Sequence, residues 1–294
     1  MALDFNRIQK PVRKLRKLLK KMPRRPSPQQ IHDFRTQSRQ LEANLKAFGL
    51  DSARTGGRIL KRLSRLRKRA GKVRDMDVLT GYASGMPREA GEQDCSVRLL
   101  EYLGAQRRKY AKSFHATSRK DGGKLRQRLK SGRQKFAKLE SRWNKNGASR
   151  NSRVANVPAS ALEIAAELSR TARLTHTTLH PFRLKVKELR NVLRLSETPD
   201  QDLIDTLGEV KDAIGEWHDW EELTAIAGKA LDHGAQCNLL RRLKQTTGKK
   251  YETALAQAEQ LRRRYVGHSG SQSPRSRRPH PSQPVLSAAM RLAA

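Results

Sequence analysis

Cysteine, aromatic and acidic residues are scarce in this chain of 294 residues. The two cysteines, Cys95 and Cys237, have neither the spacing of metal ligands nor that of a disulfide framework, which favours a reducing compartment, by default the cytoplasm. No stretch approaches the ~20 uninterrupted apolar residues of a membrane-spanning helix, and the cationic N-terminus lacks the apolar core of a signal peptide. We therefore expect neither secretion nor membrane insertion.

Basic residues dominate what is present. Lys and Arg number 63 against 28 Asp and Glu, a formal net charge of +35. Such an excess opposes compaction and concentrates polyanions near the surface, although 36% hydrophobic residues still suffice for a helical core. The expected partner is acidic: nucleic acid, inorganic polyphosphate or an anionic membrane surface, which net charge alone does not distinguish.

Apolar residues recur with helical spacing, and the alternation typical of strands is absent. Ser27, Pro28 and Gln30 form a helix start with a capping box, which predicts a helix over 28–48. It carries an apolar side and a strip of cations, as does the next predicted helix, over 53–84. An upstream basic amphipathic helix spans 12–22. Further helices are predicted over 92–118, 124–143, 159–171, 179–195, 200–214, 217–233 and 236–265. The predicted fold class is all-α.

Two sequence patterns occur once in each half of the chain. Residues 31–41 and 179–189 both read apolar-His-x-Phe-Arg-x-x-x-(Arg/Lys)-x-Leu, at an offset of 148, and residues 71–79 align with 215–223 at an offset of 144. One shortened loop accounts for the difference between the offsets. An internal duplication of a helical unit is therefore expected.

Composition suggests where the halves are joined. The stretch from Gly147 to Pro158 is rich in Ser, Asn and Arg, as linkers are, and after Gly267 the chain turns to Ser, Pro, Gln and Arg. The expected organisation is a first helical bundle over 1–148, a linker over 149–157, a second bundle over 158–266 and a disordered tail over 267–294.

The basic strips suit a chain of phosphates. Arg can bond two phosphate oxygens at once, and a phosphate raises the pKa of a nearby His. A basic strip that is merely solvated is the plain alternative, but its duplication favours binding. Single-stranded nucleic acid is usually held by aromatic stacking, whereas Phe34, Phe48 and Phe182 fall on the apolar sides. A ligand with phosphates and no bases fits better than nucleic acid.

No catalytic or metal-binding pattern stands out. His176 and His180 have the spacing of metal ligands on a helix, but Pro181 and the lack of an acidic third ligand argue against a site. Asp75 and Asp219 share one repeat position, where bonds to a neighbouring Arg or to a helix end are expected, and a structural role is also expected for Asp77. Neither a P-loop nor a dinucleotide fingerprint is present. We expect no enzyme activity, cofactor or metal.

The paired His-x-Phe-Arg helices, with the Gly-x-Val-Arg-Asp-x-Asp-Val-Leu element at residues 71–79, resemble the CHAD family, the conserved-histidine α-helical domain, over about residues 5–265. The resemblance implies two four-helix bundles related by approximate two-fold symmetry, with basic faces lining a shared groove or pore that binds inorganic polyphosphate. It also implies association with polyphosphate granules and no catalysis. A sequence-independent RNA- or DNA-binding protein is the alternative.

The resemblance carries a set of polyphosphate contacts onto this chain by position. They are His32, Arg35, Arg39 and Lys46 in the first motif, Lys61, Arg65, Lys68 and Lys72 in the helix after it, and His180, Arg183, Lys187, Arg190 and Arg194 in the second motif. The symmetry is imperfect, because Glu42 stands where the second motif has Arg190. The second-half counterpart of the Lys61–Lys72 strip is also acidic, with Glu209, Asp212 and Glu216.

Overall fold

The computed structural model describes residues 6–47, 50–51, 53–87, 89, 92–145, 156–170, 173–194, 200–231 and 237–266. These residues form helices and their connections without any strand, which confirms the all-α class. The helices are α1 (Asn6–Lys20), α2 (Pro28–Ala47), α3 (Arg54–Gly85), α4 (Gln93–Lys145), α5 (Asn156–Arg170), α6 (Leu179–Leu193), α7 (Gln201–Ala230) and α8 (Asn238–Leu261), the last followed by a π-helical turn at Arg262–Val266.

Helix α2 begins at the predicted capping box. The Ser27 hydroxyl accepts from the Gln30 backbone N–H at 3.2 Å, and the Gln30 side chain accepts from the Ser27 N–H at 2.9 Å. Two amide donors at the helix start are thus satisfied reciprocally. This fixes where the first His-x-Phe-Arg motif lies along α2.

The chain divides into two compact units, of which the first comprises Met1–Gly147 and Lys229–Cys237. In this unit α1 contacts α2 and α4, and α3 contacts the same two helices. Its core contains a cluster of apolar side chains, with Phe34 of α2 against Phe114 of α4 at 5.5 Å between ring centroids. Val12 and Leu15 are fully buried, so the apolar side of α1 completes this bundle.

Helix α4 is continuous where the sequence predicts two helices, over 92–118 and 124–143. It runs for 53 residues through Gly122 and Gly123. Two glycines inside a helix cost about 1 kcal/mol each relative to Ala, but packing outweighs this cost. Leu19 of α1 lies beside Gly122, and Arg62 of α3 forms an ion pair with the buried Asp121. The prediction of a break was wrong because it relied on local propensity alone.

The second unit comprises Ala148–Gly228 and Asn238–Ala294. Trp217 of α7 and Phe182 of α6 are the large buried side chains of its core. Helix α7 is again one helix where two were predicted, over 200–214 and 217–233, because Gly215 does not end it. Gly215 instead lies against the side chain of Arg183 of α6.

The two cysteines lie together in the first unit, with 3.6 Å between their sulfur atoms, and both are buried as free thiols. In the described residues no helix is both long and apolar enough to cross a bilayer. Residues 149–155 of the expected linker and the whole expected tail, 267–294, lie outside the described residues, and α5 begins at Asn156.

Candidate functional site

In the first unit an arginine of α2 lies directly on a glycine of α3. A β-carbon added to Gly71 would come within 2.6 Å of Arg35 Nη1, and Gly71 itself is buried. Arg35 is half-buried as a result. Because no side chain at position 71 intervenes, the end of the Arg35 side chain can lie against the backbone of α3 at Gly71.

Like charges surround this arginine. The pKa of Arg35 is lowered from its usual value, first because burial disfavours the cation and next because Arg39 repels it. Asp75 opposes this shift, and Arg74 and Arg67 add smaller repulsions. Arginine nevertheless stays protonated at neutral pH. The geometry therefore concentrates positive charge where α2 meets α3, and we call Arg35, Arg39, Arg67 and Arg74 the arginine cluster.

Glu42 of α2 forms an ion pair with Arg67 of the arginine cluster. At the equivalent position in the second half, Arg190 of α6 donates from Nε to the Ile204 carbonyl at 3.0 Å and lies on Gly208. The two halves thus differ here as the sequence predicts. Arg190 serves in part to bind α6 to α7.

The second unit repeats the arginine-on-glycine contact between α6 and α7. A β-carbon on Gly215 would lie 2.6 Å from Arg183 Nη2, and Arg183 Nε donates to the Lys211 carbonyl at 3.1 Å. Gly215 is the residue that aligns with Gly71 in the sequence. The corresponding motif arginines therefore occupy corresponding places in their own units.

Histidines accompany Arg183. The rings of His180 and His218 lie 5.2 Å apart between centroids. The pKa of His180 is lowered, first by partial desolvation and then by repulsion from His218 and Arg183. Glu221 lies 2.7 Å from Nε2 of His176 and 3.4 Å from Nδ1 of His218. His176 is thus paired with a carboxylate and packed edge-on against Trp217.

The other predicted contacts take varied positions. Lys72 lies over the ring of Tyr110 of α4, 5.4 Å from its centroid, and the Thr36 hydroxyl lies 3.5 Å from Nε2 of His32. Lys187 is half-buried on α6. The remaining predicted side chains are exposed on α2, α3 and the end of α6: Lys46, Lys61, Arg65, Lys68 and Arg194.

The sequence reasoning did not select four residues that the structure brings to these arginines. They are Arg67 and Arg74 beside Arg35, and Lys211 and His218 beside Arg183. The alignment of 71–79 with 215–223 already pairs Arg74 with His218, and the same offset pairs Arg67 with Lys211. The signal was therefore present, but the more regular strip of Lys61 to Lys72 obscured it.

Charge is distributed unequally along the chain. Residues 1–147 contain 40 Lys and Arg against 12 Asp and Glu, whereas residues 148–266 contain 19 against 16. Many cations of the second half are paired with carboxylates, for example Lys250 with Glu216 at 2.7 Å, and Lys185 with Glu167. The first unit therefore carries most of the electrostatic attraction for an anion.

In the part of the chain that the structure describes, His, Cys, Asp and Glu form no group of three or more that could hold a metal ion. Asp77 instead accepts from Arg107 Nε at 2.5 Å, which agrees with the structural role expected for it.

These features define an all-α protein with basic helical faces, built in each unit around an arginine that lies on a glycine of the neighbouring helix. The chain belongs to the CHAD family, since the family model described as CHAD domain matches residues 6–228. Domains of this family are associated with polyphosphate-related binding. Neither the curated proteins nor the solved structures contain a match to the chain.

Proposed function

We propose that the chain binds inorganic polyphosphate through the basic faces of both halves, that the two faces hold one polyphosphate chain, and that it catalyses no reaction on this ligand. The arginine cluster carries the proposal. Glu42 and Asp75 lie beside the four arginines, but two carboxylates offset only part of the repulsion among four cations, one of which, Arg35, is partly desolvated. A row of phosphates relieves this repulsion and releases its own counterions. Family membership supports the same ligand.

The arginines that lie on glycine are oriented for phosphate. Arg183 uses Nε for the Lys211 carbonyl, and its Nη groups make no hydrogen bond to the described residues. Arg35 is held by packing against Gly71, and its guanidinium likewise makes no hydrogen bond within the described ranges. Donors held in place by packing lose little entropy on binding. Each unit thus presents a pre-oriented fork to a phosphate.

The burial of the aromatic side chains favours phosphates without bases. Phe34 and Phe182 of the two motifs are 0% and 1% exposed, so neither offers a stacking platform. Recognition of single-stranded RNA or DNA depends heavily on such platforms. Nucleic acid remains the second candidate because its backbone presents the same charge. Association with polyphosphate granules would follow directly from binding of the polymer.

Neutralising predicted phosphate contacts of the two units in stages tests the proposal. Arg35→Gln with Arg39→Gln changes the first unit, Arg183→Gln with Lys187→Gln changes the second, and the fourfold variant combines them. We expect the first pair to weaken binding of long-chain polyphosphate more than the second, because the first unit carries more charge, and the fourfold variant to bind least. The measurement is a fluorescence titration at two salt concentrations, with circular dichroism to verify the helices.

A matched control removes the same charge elsewhere. The α8 control variant replaces the exposed Arg241, Lys244, Lys249 and Arg263 by Gln. It should keep most of the affinity, because these side chains, on α8 and the turn that follows it, are not among the predicted polyphosphate contacts. Full affinity in the fourfold variant would refute the proposed site, as would an equal loss in the control.

Two further measurements address the other functions. RNA of equal phosphate content that displaces polyphosphate readily at moderate salt would favour the nucleic-acid function. Release of phosphate, or nucleotide-dependent turnover with a divalent metal, would contradict the absence of catalysis. We expect neither result with the purified full chain.

A further inference from the structure

A second basic face lies on the other side of the first unit. Because α1 contacts α2 and α4, and α3 contacts the same two helices, the side formed by α1 and α4 is opposite the side formed by α2 and α3. The arginine cluster occupies the α2/α3 side. Nothing in the proposed polyphosphate site uses the α1/α4 side.

One row of α4 consists of cations and small residues. Spacings of four, seven, seven, four and three residues keep its members on one side of the helix at 100° per residue. The row also contains His115, whose Nδ1 lies 3.2 Å from the Pro23 carbonyl just after α1, so it flanks α1. Its cations are Arg108, Lys112, Arg119, Arg126, Lys130 and Arg133, all exposed except the half-exposed Arg126.

Helix α1 adds a second row. Lys10, Arg13, Lys14 and Lys17 are exposed, whereas the apolar residues of the same helix are buried in the bundle. Helix α1 contains no acidic residue, and between positions 102 and 138 of α4 the one carboxylate is Asp121, which is buried and paired with Arg62. None of these ten cations forms an ion pair within the described residues. We call them the α1/α4 face.

We propose that the α1/α4 face binds double-helical nucleic acid through its phosphate backbones, without sequence preference. The proposal is independent of the polyphosphate site. The axes of packed helices lie about 8–10 Å apart. The long side chains of the two rows can therefore reach both phosphate strands that border a duplex groove, which is about 6 or 12 Å wide. A polyphosphate chain offers a single flexible strand, which does not need such an arrangement.

The dimensions of α4 fit a rigid rod. From Arg108 to Arg133 the row extends about 38 Å at 1.5 Å per residue, close to the ~34–36 Å of one duplex turn. Ion pairs of Arg62 with Asp121 and of Asp77 with Arg107 tie α4 to α3. The row is therefore held in place on α3.

Other polyanions fit this face less well. Between positions 108 and 138 of α4, Phe114 and Phe136 are buried and Tyr110 lies under Lys72, so no aromatic ring of this stretch is available to stack bases of a single strand. The exposed large apolar side chains, Val97, Tyr102 and Leu184, are outside the face, which leaves nothing to insert into a membrane.

The test separates the two faces of the first unit. The row variant replaces Arg119, Arg126, Lys130 and Arg133 by Gln in the full chain, and its binding to a mixed-sequence duplex of about three turns is measured by anisotropy between about 50 and 200 mM salt. The logarithmic salt slope should become shallower by up to about 3–4, since each phosphate contact contributes about 0.9. Affinity for long-chain polyphosphate should fall less than twofold.

The cluster variant, Arg35→Gln with Arg39→Gln, should behave in the opposite way, with duplex binding nearly unchanged. The α8 control variant, which loses the same number of positive charges as the row variant, measures how much duplex affinity is lost through net charge alone. The proposal is overturned by a row variant that binds the duplex as tightly as the parent, by an equal loss in the α8 control, or by a row variant that loses polyphosphate and keeps the duplex. A parent chain that binds the duplex but does not bind polyphosphate would refute the proposed function and leave the duplex proposal standing.

Discussion

Arg35 lies on Gly71 so closely that no other residue at position 71 leaves room for it, since an added β-carbon would come within 2.6 Å of Nη1. The contact recurs at Arg183 and Gly215. A glycine inside a helix usually weakens it. Here its small size lets a cation lie between two helices, and this relationship can be tested directly.

Gly71→Ala should lower polyphosphate affinity by about three- to tenfold, the effect of losing one charge-assisted contact. The atom that must move is the far end of a flexible side chain, so displacing it costs little. Alanine in a helix is also favoured over glycine by about 0.5–1 kcal/mol. The melting temperature should thus stay constant or rise while affinity falls, measured by thermal denaturation and titration.

Gly81→Ala is the matched control, because it lies on the same helix and an added β-carbon meets nothing within 4 Å. It should gain the same helix propensity and keep full affinity. Equal affinities of the two alanine variants would show that the position of Arg35 does not matter for binding.

Polyphosphate affinity should increase as pH falls from about 8 to about 6. The free protein keeps the pKa of His180 below its usual value through partial desolvation and the repulsion of His218 and Arg183. A bound phosphate reverses the repulsion, so binding takes up a proton in this range. His180→Gln should flatten the pH dependence, whereas His115→Gln should retain it.

The free energy of unfolding of the ligand-free protein should change with pH in the opposite direction to the polyphosphate affinity. A histidine whose pKa is lower in the folded than in the unfolded chain is protonated first in the unfolded chain as pH falls. Without ligand, the contribution of His180 should therefore decrease stability as pH drops through about 6.5, its unfolded value. Urea denaturation at several pH values measures this effect, and a stability that increases on acidification in parent but not in His180→Gln would contradict it.

Asp121→Asn should destabilise the first unit by about 2 kcal/mol, because it leaves the partly buried Arg62 without its charge partner. Asp94→Asn on the same helix is the control, since Asp94 is exposed in the first turn and affects mainly the helix dipole, by less than about 1 kcal/mol. Chemical denaturation compares the two. A loss no greater than that of the control would show that the ion pair does not hold α4 to α3.

The two cysteines should react slowly in the folded chain. Both are buried, and burial together with the neighbouring Cys237 sulfur raises the pKa of the Cys95 thiol, so little thiolate is present. Alkylation should proceed at least about tenfold more slowly than at an introduced Val97→Cys, an exposed position on the same helix. Rapid labelling of the parent would contradict the packing of Cys237 against Cys95.

The sequence was sufficient for the all-α class, for the start of α2 and for the apolar sides of the motif helices, but not for the continuity of α4 and α7. Ser27 and Gln30 form the predicted capping box, and Phe34 and Phe182 are buried on the predicted apolar sides. These features depend on residues within one or two turns of each other. Local periodicity and capping chemistry therefore determine them before any tertiary contact forms.

Features that depend on a neighbouring helix were not predictable in this way. Gly122 and Gly215 suggest helix ends, and only the contacts with Leu19 and Arg183 show why the helices continue. Arg67 and Arg74 join the arginine cluster because α2 packs on that side of α3, which periodicity does not specify. The assignment of phosphate contacts to Lys61, Arg65 and Lys68 stays a prediction.

The assignment of Lys229–Cys237 to the first unit, after more than eighty intervening residues of the second, bears on how the protein is made. During synthesis, the ribosome delivers α1 to α4 long before the piece that covers Cys95. The first unit therefore cannot reach its final form until residues 148–228 of the second unit have been synthesised. A fragment that ends at the boundary between the halves would lack Lys229–Cys237, and the first unit should therefore not fold completely on its own.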